Sequence, residues 1–241
     1  MIKNAKLQFD ENGTPYSSEF DDIYFSRRDG VAETEYVFLK HNKIIPRFSS
    51  QIKTFHIAET GFGTGLNLLV TWSHLLEINN SRATPLKLTF TTFEKFPLSK
   101  SDLAAALKLW PQFESISSQL IEAYPDSLQT DNILVLEDGL ITLRLLIGDV
   151  TDCMRTLDLQ NDHKVDAWYL DGFAPSKNPE MWNPVLFENM YKLSKPDCTL
   201  ATFTAAGLVR RGLREAGFDV RKYKGFAFKR EMVATRGVDY E

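Results

Sequence analysis

The amino-acid sequence predicts an α/β fold in which helices cover both faces of a mostly parallel, seven-stranded sheet. From residue 54 onward, apolar runs of strand length alternate with segments of helical periodicity. Such alternation is typical of a doubly wound sheet. The chain has 241 residues, 43% of them hydrophobic, which is enough for one large domain with a full core.

The first 53 residues are predicted to form a β-rich extension that packs on a core domain spanning residues 54–241. Asn12-Gly13 stands between extended-looking flanks, which is a strong signal for a hairpin turn. A second hairpin is predicted over residues 35–48, where two apolar runs flank His41-Asn42-Lys43.

The core elements follow in order along the chain. Ser99 or Ser101 caps one helix, which Pro111 ends, and Gly217 closes the last helix. The predicted strands are 54–59, 86–94, 141–149, 165–171 and 198–204, with a closing pair inside 218–235, and the predicted helices are 66–78, 99–110, 179–193 and 205–217.

Charge is distributed unevenly. The net charge is −4, but residues 195–236 hold ten basic and four acidic side chains, so this segment carries +6 and the remainder −10. A basic block on an acidic protein is either an anion-binding face or an ordinary solvated surface, and the counts leave both open.

Targeting signals are weak. No apolar run approaches the ~20 residues of a membrane span, and the polar start "MIKNAKLQFDENG" lacks the apolar core of a signal peptide. Two cysteines imply no disulfide framework. We expect a cytoplasmic protein that does not associate with membranes.

A glycine-rich loop, "ETGFGTGLN", follows the first core strand. No lysine follows the glycines as a phosphate-binding P-loop requires, and the spacing does not fit G-x-G-x-x-G. The pattern is acid-x-G-x-G-x-G, formed by Glu59, Gly61, Gly63 and Gly65. It is typical of the first motif of Rossmann-like, class I S-adenosylmethionine methyltransferases, where bare backbone lets a bulky ligand approach closely.

Acidic residues end the next three strands. Glu94 is placed to accept hydrogen bonds from ribose hydroxyls, and Asp149 from an adenine amino group. Asp171 emerges beside the first strand, where a transferable methyl group would lie, and Phe173 adds an aromatic face. A carboxylate and an aromatic ring beside a sulfonium suit methylation of an amine.

Other chemistries find less support. Cys153 and Cys198 are interpreted as small packing residues rather than as nucleophiles. The four histidines lack the spacing of metal ligands, so no metal site is expected. No nucleophile elbow with a Ser-His-Asp pattern is present.

Seven segments together resemble a known family. They are "DDIYFS", "ETEYVFL", "ETGFGTGLN", "FEKFPL", "DGFAPSKNPEMW", "LATFTAAGLVRRGLREAGF" and "KGFAFKREM". They are similar to the methyltransferase domain of bacterial bifunctional 5-methylaminomethyl-2-thiouridine biosynthesis enzymes, from about residue 5 to residue 233. One departure is Asp197-Cys198, which stands where a Gly-Gly turn is usual.

The resemblance implies transfer of a methyl group from S-adenosylmethionine to the aminomethyl nitrogen of a tRNA wobble uridine. In that family an FAD-dependent oxidase domain, fused or separate, first exposes the amine, and this chain shows no FAD fingerprint. The chain is then either a stand-alone methyltransferase or the N-terminal part of a longer bifunctional protein.

The resemblance also implies residue roles. Glu59, Gly61, Gly63, Gly65, Glu94 and Asp149 would hold the cofactor, Tyr24 and Glu35 would roof it, and Asp171 and Phe173 would face the amine. Arg210, Arg211, Arg214, Lys229 and Arg230 would meet phosphates of the anticodon stem-loop. Two rival interpretations remain: methylation of a small-molecule or protein amine, and a non-catalytic module that binds S-adenosylmethionine or RNA.

Overall fold

The computed structural model describes residues 2–9, 11, 15–17, 22–23, 29–157 and 164–235. Its strands are β1 Leu7–Phe9, β2 Pro15–Ser17, β3 Asp22–Ile23, β4 Thr54–Thr60, β5 Lys87–Glu94, β6 Asp131–Leu136, β7 Ile141–Ile147, β8 Val165–Tyr169, β9 Ser194–Thr202, β10 Val220–Lys224 and β11 Glu231–Thr235. Its α-helices are α1 Gly30–Thr34, α2 Ile44–Ser49, α3 Leu66–Asn79, α4 Lys100–Leu107, α5 Glu114–Ala123, α6 Val150–Arg155, α7 Pro184–Leu193 and α8 Gly207–Glu215. A π-helical segment, Glu35–Lys40, and short 3-10 turns at Pro111–Phe113 and Glu137–Gly139 complete the described elements.

The main sheet has the strand order β10-β11-β9-β8-β4-β5-β7-β6. The five inner strands β9, β8, β4, β5 and β7 are mutually parallel, while β6, β10 and β11 pair in antiparallel fashion. The predicted fold class is confirmed, but the sheet has eight strands rather than seven. The additional strand, β6, lies at an edge, where Ile133 and Val135 are 65% exposed. Its apolar run, residues 133–136, is not among the predicted strands.

The N-terminal region combines strands and helices. Strands β1 and β2 pair in antiparallel register from Leu7↔Ser17 to Phe9↔Pro15, as expected of the first hairpin. Its predicted turn, Asn12-Gly13, lies outside the described residues.

The second predicted hairpin is wrong, because residues 35–48 are helical. Ile44 and Phe48 are fully buried while Pro46, midway between them, is exposed, which is a helical and not an alternating pattern. Lys43 takes a left-handed conformation, φ 52°, that turns the chain between the π-helical segment and α2.

Several elements differ from prediction. Helix α5 is not among the predicted elements. Helix α7 begins at Pro184 rather than 179, because the Asn183 side chain accepts a hydrogen bond from Leu186 N at 3.0 Å and caps it. Strand β9 begins at Ser194, so Asp197 and Cys198 lie within the strand instead of forming a turn before it.

The core forms two apolar layers, one on each face of the sheet. Neighbouring residues on one strand belong to different layers: Ile57 and Tyr169 pack with α3 and α5, and Ala58 and Trp168 pack with α7 and α8. Because the inner strands are parallel, they end at one shared edge, where loops can converge on a ligand.

In the portions of the chain that the structure describes, no helix is long and apolar enough to cross a membrane. The domain division at residue 53 stays a prediction.

Candidate active site

The loop after β4 takes backbone conformations that suit glycine. Gly61, Gly63 and Gly65 have φ of 89°, 53° and 74°, all in the left-handed region. A Cβ atom on Gly61 would lie 3.2 Å from the Cα of Gly172, in the loop after β8. The two loops therefore meet backbone to backbone, with no room for a side chain between them.

A cavity of about 500 Å³ opens between these loops, within the range usual for small-molecule sites. Six of the residues proposed to hold the cofactor or to face the amine line it: Gly61, Gly63, Glu94, Asp149, Asp171 and Phe173. Three others that the structure describes, Glu59, Gly65 and Glu35, lie outside its lining. Tyr24 lies outside the described residues.

Glu59 lies one layer below the cavity. It is 1% exposed, and its two carboxylate oxygens accept hydrogen bonds from Asn67 Nδ2 and Thr92 Oγ1, each at 2.8 Å. Burial, and next the negative charge of Asp171, raise the pKa of Glu59 well above its ordinary value. Its direct contact is thus with Asn67 rather than with a ligand in the cavity.

Asn67, in the first turn of α3, connects this buried layer to the cavity. Its amide nitrogen donates to Glu59 and also to Asp171 Oδ2 at 2.7 Å. Its carbonyl oxygen accepts a hydrogen bond of 2.6 Å from Thr34 Oγ1. The hydroxyl donor orients the amide so that both N–H groups point at the two carboxylates.

Asp171 is the acidic group best placed for chemistry. Its Oδ1 accepts a hydrogen bond of 2.8 Å from Gly172 N, and its Oδ2 accepts the bond from Asn67. Burial raises the pKa of Asp171 to about 6, and the two hydrogen bonds act in the opposite direction. The carboxyl group can therefore gain or lose a proton close to neutral pH.

Glu94 and Asp149 line the neighbouring part of the cavity, at the ends of β5 and β7. Glu94 accepts hydrogen bonds from Gly63 N and Phe96 N, both at 2.9 Å, so it orders the glycine loop as well as the loop after β5. Burial raises its pKa, although these N–H donors oppose the rise. Asp149 caps α6 by accepting from Thr151 N at 3.0 Å.

The cavity is acidic. Among the lining residues that the structure describes, five carboxylates stand against two ammonium groups; they are Glu33, Glu94, Asp149, Asp171 and Glu180 against Lys95 and Lys229. This excess suits a ligand that carries positive charge, such as a sulfonium with an amino group, and opposes polyphosphate. The charges of the lining residues thus fit S-adenosylmethionine better than a nucleotide polyphosphate.

Glu35, expected to roof the cofactor, points elsewhere. Its carboxylate lies 3.1 Å from His74 Nε2, and its side chain is 48% exposed. The residue that reaches the cavity is Glu33, from the same "ETEYVFL" segment. Two residues apart in a helical segment, Glu33 and Glu35 lie on different faces. The sequence indicates the correct segment, but the choice of glutamate depends on the helical phase, which the hairpin prediction has wrong.

The predicted basic residues lie in different environments. Arg214 donates from Nε and Nη2 to Val220 O at 3.0 and 2.7 Å, which ties α8 to β10. Lys229 lines the cavity and pairs with Glu33 at 2.6 Å. Arg211 and Arg230 are exposed, and Arg210 is partly buried.

The sequence-based prediction misses several site residues, among them Thr34, Asn67 and Glu33. Asn67 stands at the end of "ETGFGTGLN", directly after the motif glycines, so its position was an available signal. Thr34 and Glu33 lie in the indicated segment "ETEYVFL", but their place in the site depends on α1 packing against α3.

Comparisons with known proteins identify the family and the fold. A family model described as S-adenosyl-L-methionine-dependent methyltransferase matches residues 111–237, more than half of the chain. The chain is 53% identical over 236 residues to a protein of Aliivibrio fischeri and 52% to one of Vibrio campbellii. Both are named tRNA 5-methylaminomethyl-2-thiouridine biosynthesis bifunctional protein MnmC. Each match covers 97% of this chain but 35% of the relative, so the chain spans about a third of their length.

A solved structure shares the fold. MnmC2 from Aquifex aeolicus superposes with a TM-score of 0.74 at 23% identity, over 97% of this chain and 70% of that one. The resemblance inferred from the seven sequence segments is confirmed by the relatives. The chain belongs to the family of S-adenosyl-L-methionine-dependent methyltransferases.

Proposed function

We propose that this chain methylates the aminomethyl nitrogen of 5-aminomethyl-2-thiouridine at the wobble position of tRNA. The observation that carries the proposal is Asp171, a carboxylate held at the mouth of an acidic cavity with Phe173 beside it. The substrate class is supported by about 50% identity, over 97% of this chain, to relatives named for 5-methylaminomethyl-2-thiouridine biosynthesis in tRNA.

Gly61, Gly63, Glu94 and Asp149 would hold S-adenosylmethionine. The glycines leave room for the ligand beside the backbone, and the two carboxylates supply acceptors for ribose hydroxyls and an adenine amino group. When bound, the cofactor supplies an electrophilic methyl group: the amine lone pair forms the N–C bond, and the C–S bond pair returns to sulfur. Glu59 would act indirectly, by fixing Asn67.

Asp171 would manage the charge of the amine. A primary amine is mostly an ammonium ion at neutral pH, and only its neutral form attacks. The ionised Asp171 attracts the ammonium and accepts a hydrogen bond from it. It can then take the proton itself, which leaves the neutral amine beside the carboxyl group. Phe173 offers an aromatic face to the cationic centre. Positioning then accounts for most of the rate, without a covalent intermediate.

The RNA would approach the edge of the sheet at which the cavity opens. The turn between β10 and β11 lies there, with Arg230 exposed and Phe228 fully exposed at its tip. Exposed aromatic rings beside basic side chains suit stacking on an unpaired base with nearby phosphate contacts. Arg210 and Arg211 would extend this footprint along α8, whereas Arg214 is occupied with Val220.

The substrate amine must come from a prior reaction. An FAD-dependent oxidase that removes a carboxymethyl group from the uridine side chain, fused or separate, would supply it. The relatives are called bifunctional, which supports such a partner activity.

A methyl-transfer assay tests the proposal. Purified chain is incubated with labelled S-adenosylmethionine and tRNA from cells that lack this methylation step, followed by nucleoside analysis. We expect label in the wobble nucleoside and none when Asp171→Ala replaces the wild type. Label absent from tRNA but present in a small amine or a protein would overturn the proposed substrate.

A further inference from the structure

A lysine ammonium group occupies the edge of the cavity in this structure. Lys229 Nζ lies 2.6 Å from Glu33 Oε1, although the two residues are 196 positions apart in the chain. The same nitrogen lies 4.6 Å from the centroid of the Phe203 ring. All three residues line the cavity. A carboxylate and an aromatic face therefore hold a primary ammonium ion between them.

The two charges also act on Asp171. The negative charge of Glu33 raises the pKa of Asp171, and the positive charge of Lys229 lowers it. Glu33 is further linked to the reacting end of the cavity through its neighbour Thr34, which donates to Asn67 at 2.6 Å. Asn67 in turn donates to Asp171. The Lys229 ammonium thus lies in the part of the cavity where the proposed function needs the substrate amine.

We propose that Glu33 and Phe203 form the subsite for the substrate's ammonium group, and that Lys229 fills it in the free protein as an internal substitute. The inference rests on the proposed function and names a recognition site for its amine. Lysine and an aminomethyl uridine present the same group, a compact primary ammonium with three donors. A pocket that holds one accommodates the other with the same contacts.

The exchange requires a weak internal contact. The Lys229 side chain is 49% exposed, and that of Glu33 is 26% exposed. Ion pairs this open to solvent are weak, so a tethered substrate can displace Lys229 at small cost. The displaced lysine remains on the exposed β10–β11 turn next to Arg230, where a phosphate group can receive it.

Steady-state kinetics with Glu33→Gln test the subsite. We expect KM for tRNA that carries 5-aminomethyluridine to rise at least about tenfold while kcat stays within about threefold, since the loss concerns ground-state binding. Glu35→Gln is the matched control: it removes the same charge two residues away, where the carboxylate contacts His74. Calorimetry with S-adenosylmethionine checks that both variants keep an intact cofactor site.

Lys229→Met tests the internal substitute. The probe is the free nucleoside 5-aminomethyluridine, which lacks the tRNA phosphates. We expect its Kd to fall several-fold in Lys229→Met, because the competing ammonium is gone, and this gain to vanish in the double variant with Glu33→Gln. Lys229→Arg keeps a competing cation and should not show the gain.

The outcomes separate the two claims. If wild type methylates the tRNA but Glu33→Gln behaves like Glu35→Gln, the subsite is wrong and the proposed function stands. Weaker nucleoside binding by Lys229→Met would also overturn the subsite. If wild type methylates no aminomethyl-tRNA, the proposed function fails and the subsite fails with it.

Discussion

The side-chain amide of Asn67 donates to Asp171 Oδ2 at 2.7 Å and, from the same nitrogen, to Glu59 Oε1 at 2.8 Å. Two carboxylates that would otherwise repel are thereby held around one neutral donor group. The arrangement makes Asn67 a positioning residue for Asp171. It also connects Glu59, which lies below the cavity, to Asp171, which lines it.

Asn67→Ala should therefore change both stability and the pH profile. Loss of a donor to buried carboxylates costs about 1–3 kcal/mol in the free energy of unfolding. Without that hydrogen bond the pKa of Asp171 rises, so the acidic limb of kcat/KM for methyl transfer moves to higher pH.

Asn79→Ala is the control for Asn67→Ala. Asn79 likewise makes side-chain hydrogen bonds, two of them with the backbone of Leu86, but it lies at the other end of α3. We expect it to lower stability and leave the acidic limb in place. An unmoved limb in Asn67→Ala would contradict the positioning role.

The activity of the wild-type chain should fall as pH decreases through about 6. Burial raises the pKa of Asp171 to about 6, so the carboxylate becomes neutral below that pH and no longer attracts a cationic amine. A kcat/KM profile on aminomethyl-tRNA measures this limb. Asp171→Asn should lower the rate and remove the limb, and a limb that persists in this variant would assign it to another group.

Gly61→Ala should weaken S-adenosylmethionine binding at least about tenfold. The backbone at this position has a positive φ of 89°, and the new Cβ would lie 3.2 Å from the Cα of Gly172. The Cβ would therefore push apart the two loops that line the cavity. Gly139→Ala is a close control, because its φ is 86° and no other residue lies within 4 Å of the place that a Cβ atom would take. Both variants bear a left-handed backbone cost of about 1–2 kcal/mol. Equal cofactor Kd values for the two variants, measured by calorimetry, would show that loop contact is unimportant.

Arg211→Ala should weaken RNA binding, whereas Arg214→Ala should lower stability. Arg211 is exposed on α8, and its loss should reduce the slope of log Kd for tRNA against log salt by about 1 if it contacts one phosphate. Arg214 donates twice to Val220 O, so its loss should lower the melting temperature and spare the slope. Filter binding over a salt series and thermal melts distinguish the two. A reduced slope in Arg214→Ala alone would reverse these assignments.

Much of the site was accessible from the sequence because its signals are local. Glu94, Asp149 and Asp171 each end a predicted strand, Gly61 and Gly63 follow one, and parallel strands bring their carboxyl ends to one edge. The prediction of secondary structure was wrong where packing against a neighbouring element decides it. Residues 35–48 show two apolar runs that fit a hairpin, but burial on helical spacing against the sheet makes them helical.

By itself, the sequence determined the α/β class, the order of the core elements, the glycine loop and the acidic strand ends, since periodicity and motif spacing act over short stretches of chain. Only the tertiary structure decided which acidic residues face the cavity and which lie beneath it. It also joined Glu33 to Lys229 across 196 positions and gave Asn67 two carboxylates to hold. These relationships depend on the packing of α1 and α3 beside the sheet, and packing between distant segments leaves no local pattern in the chain.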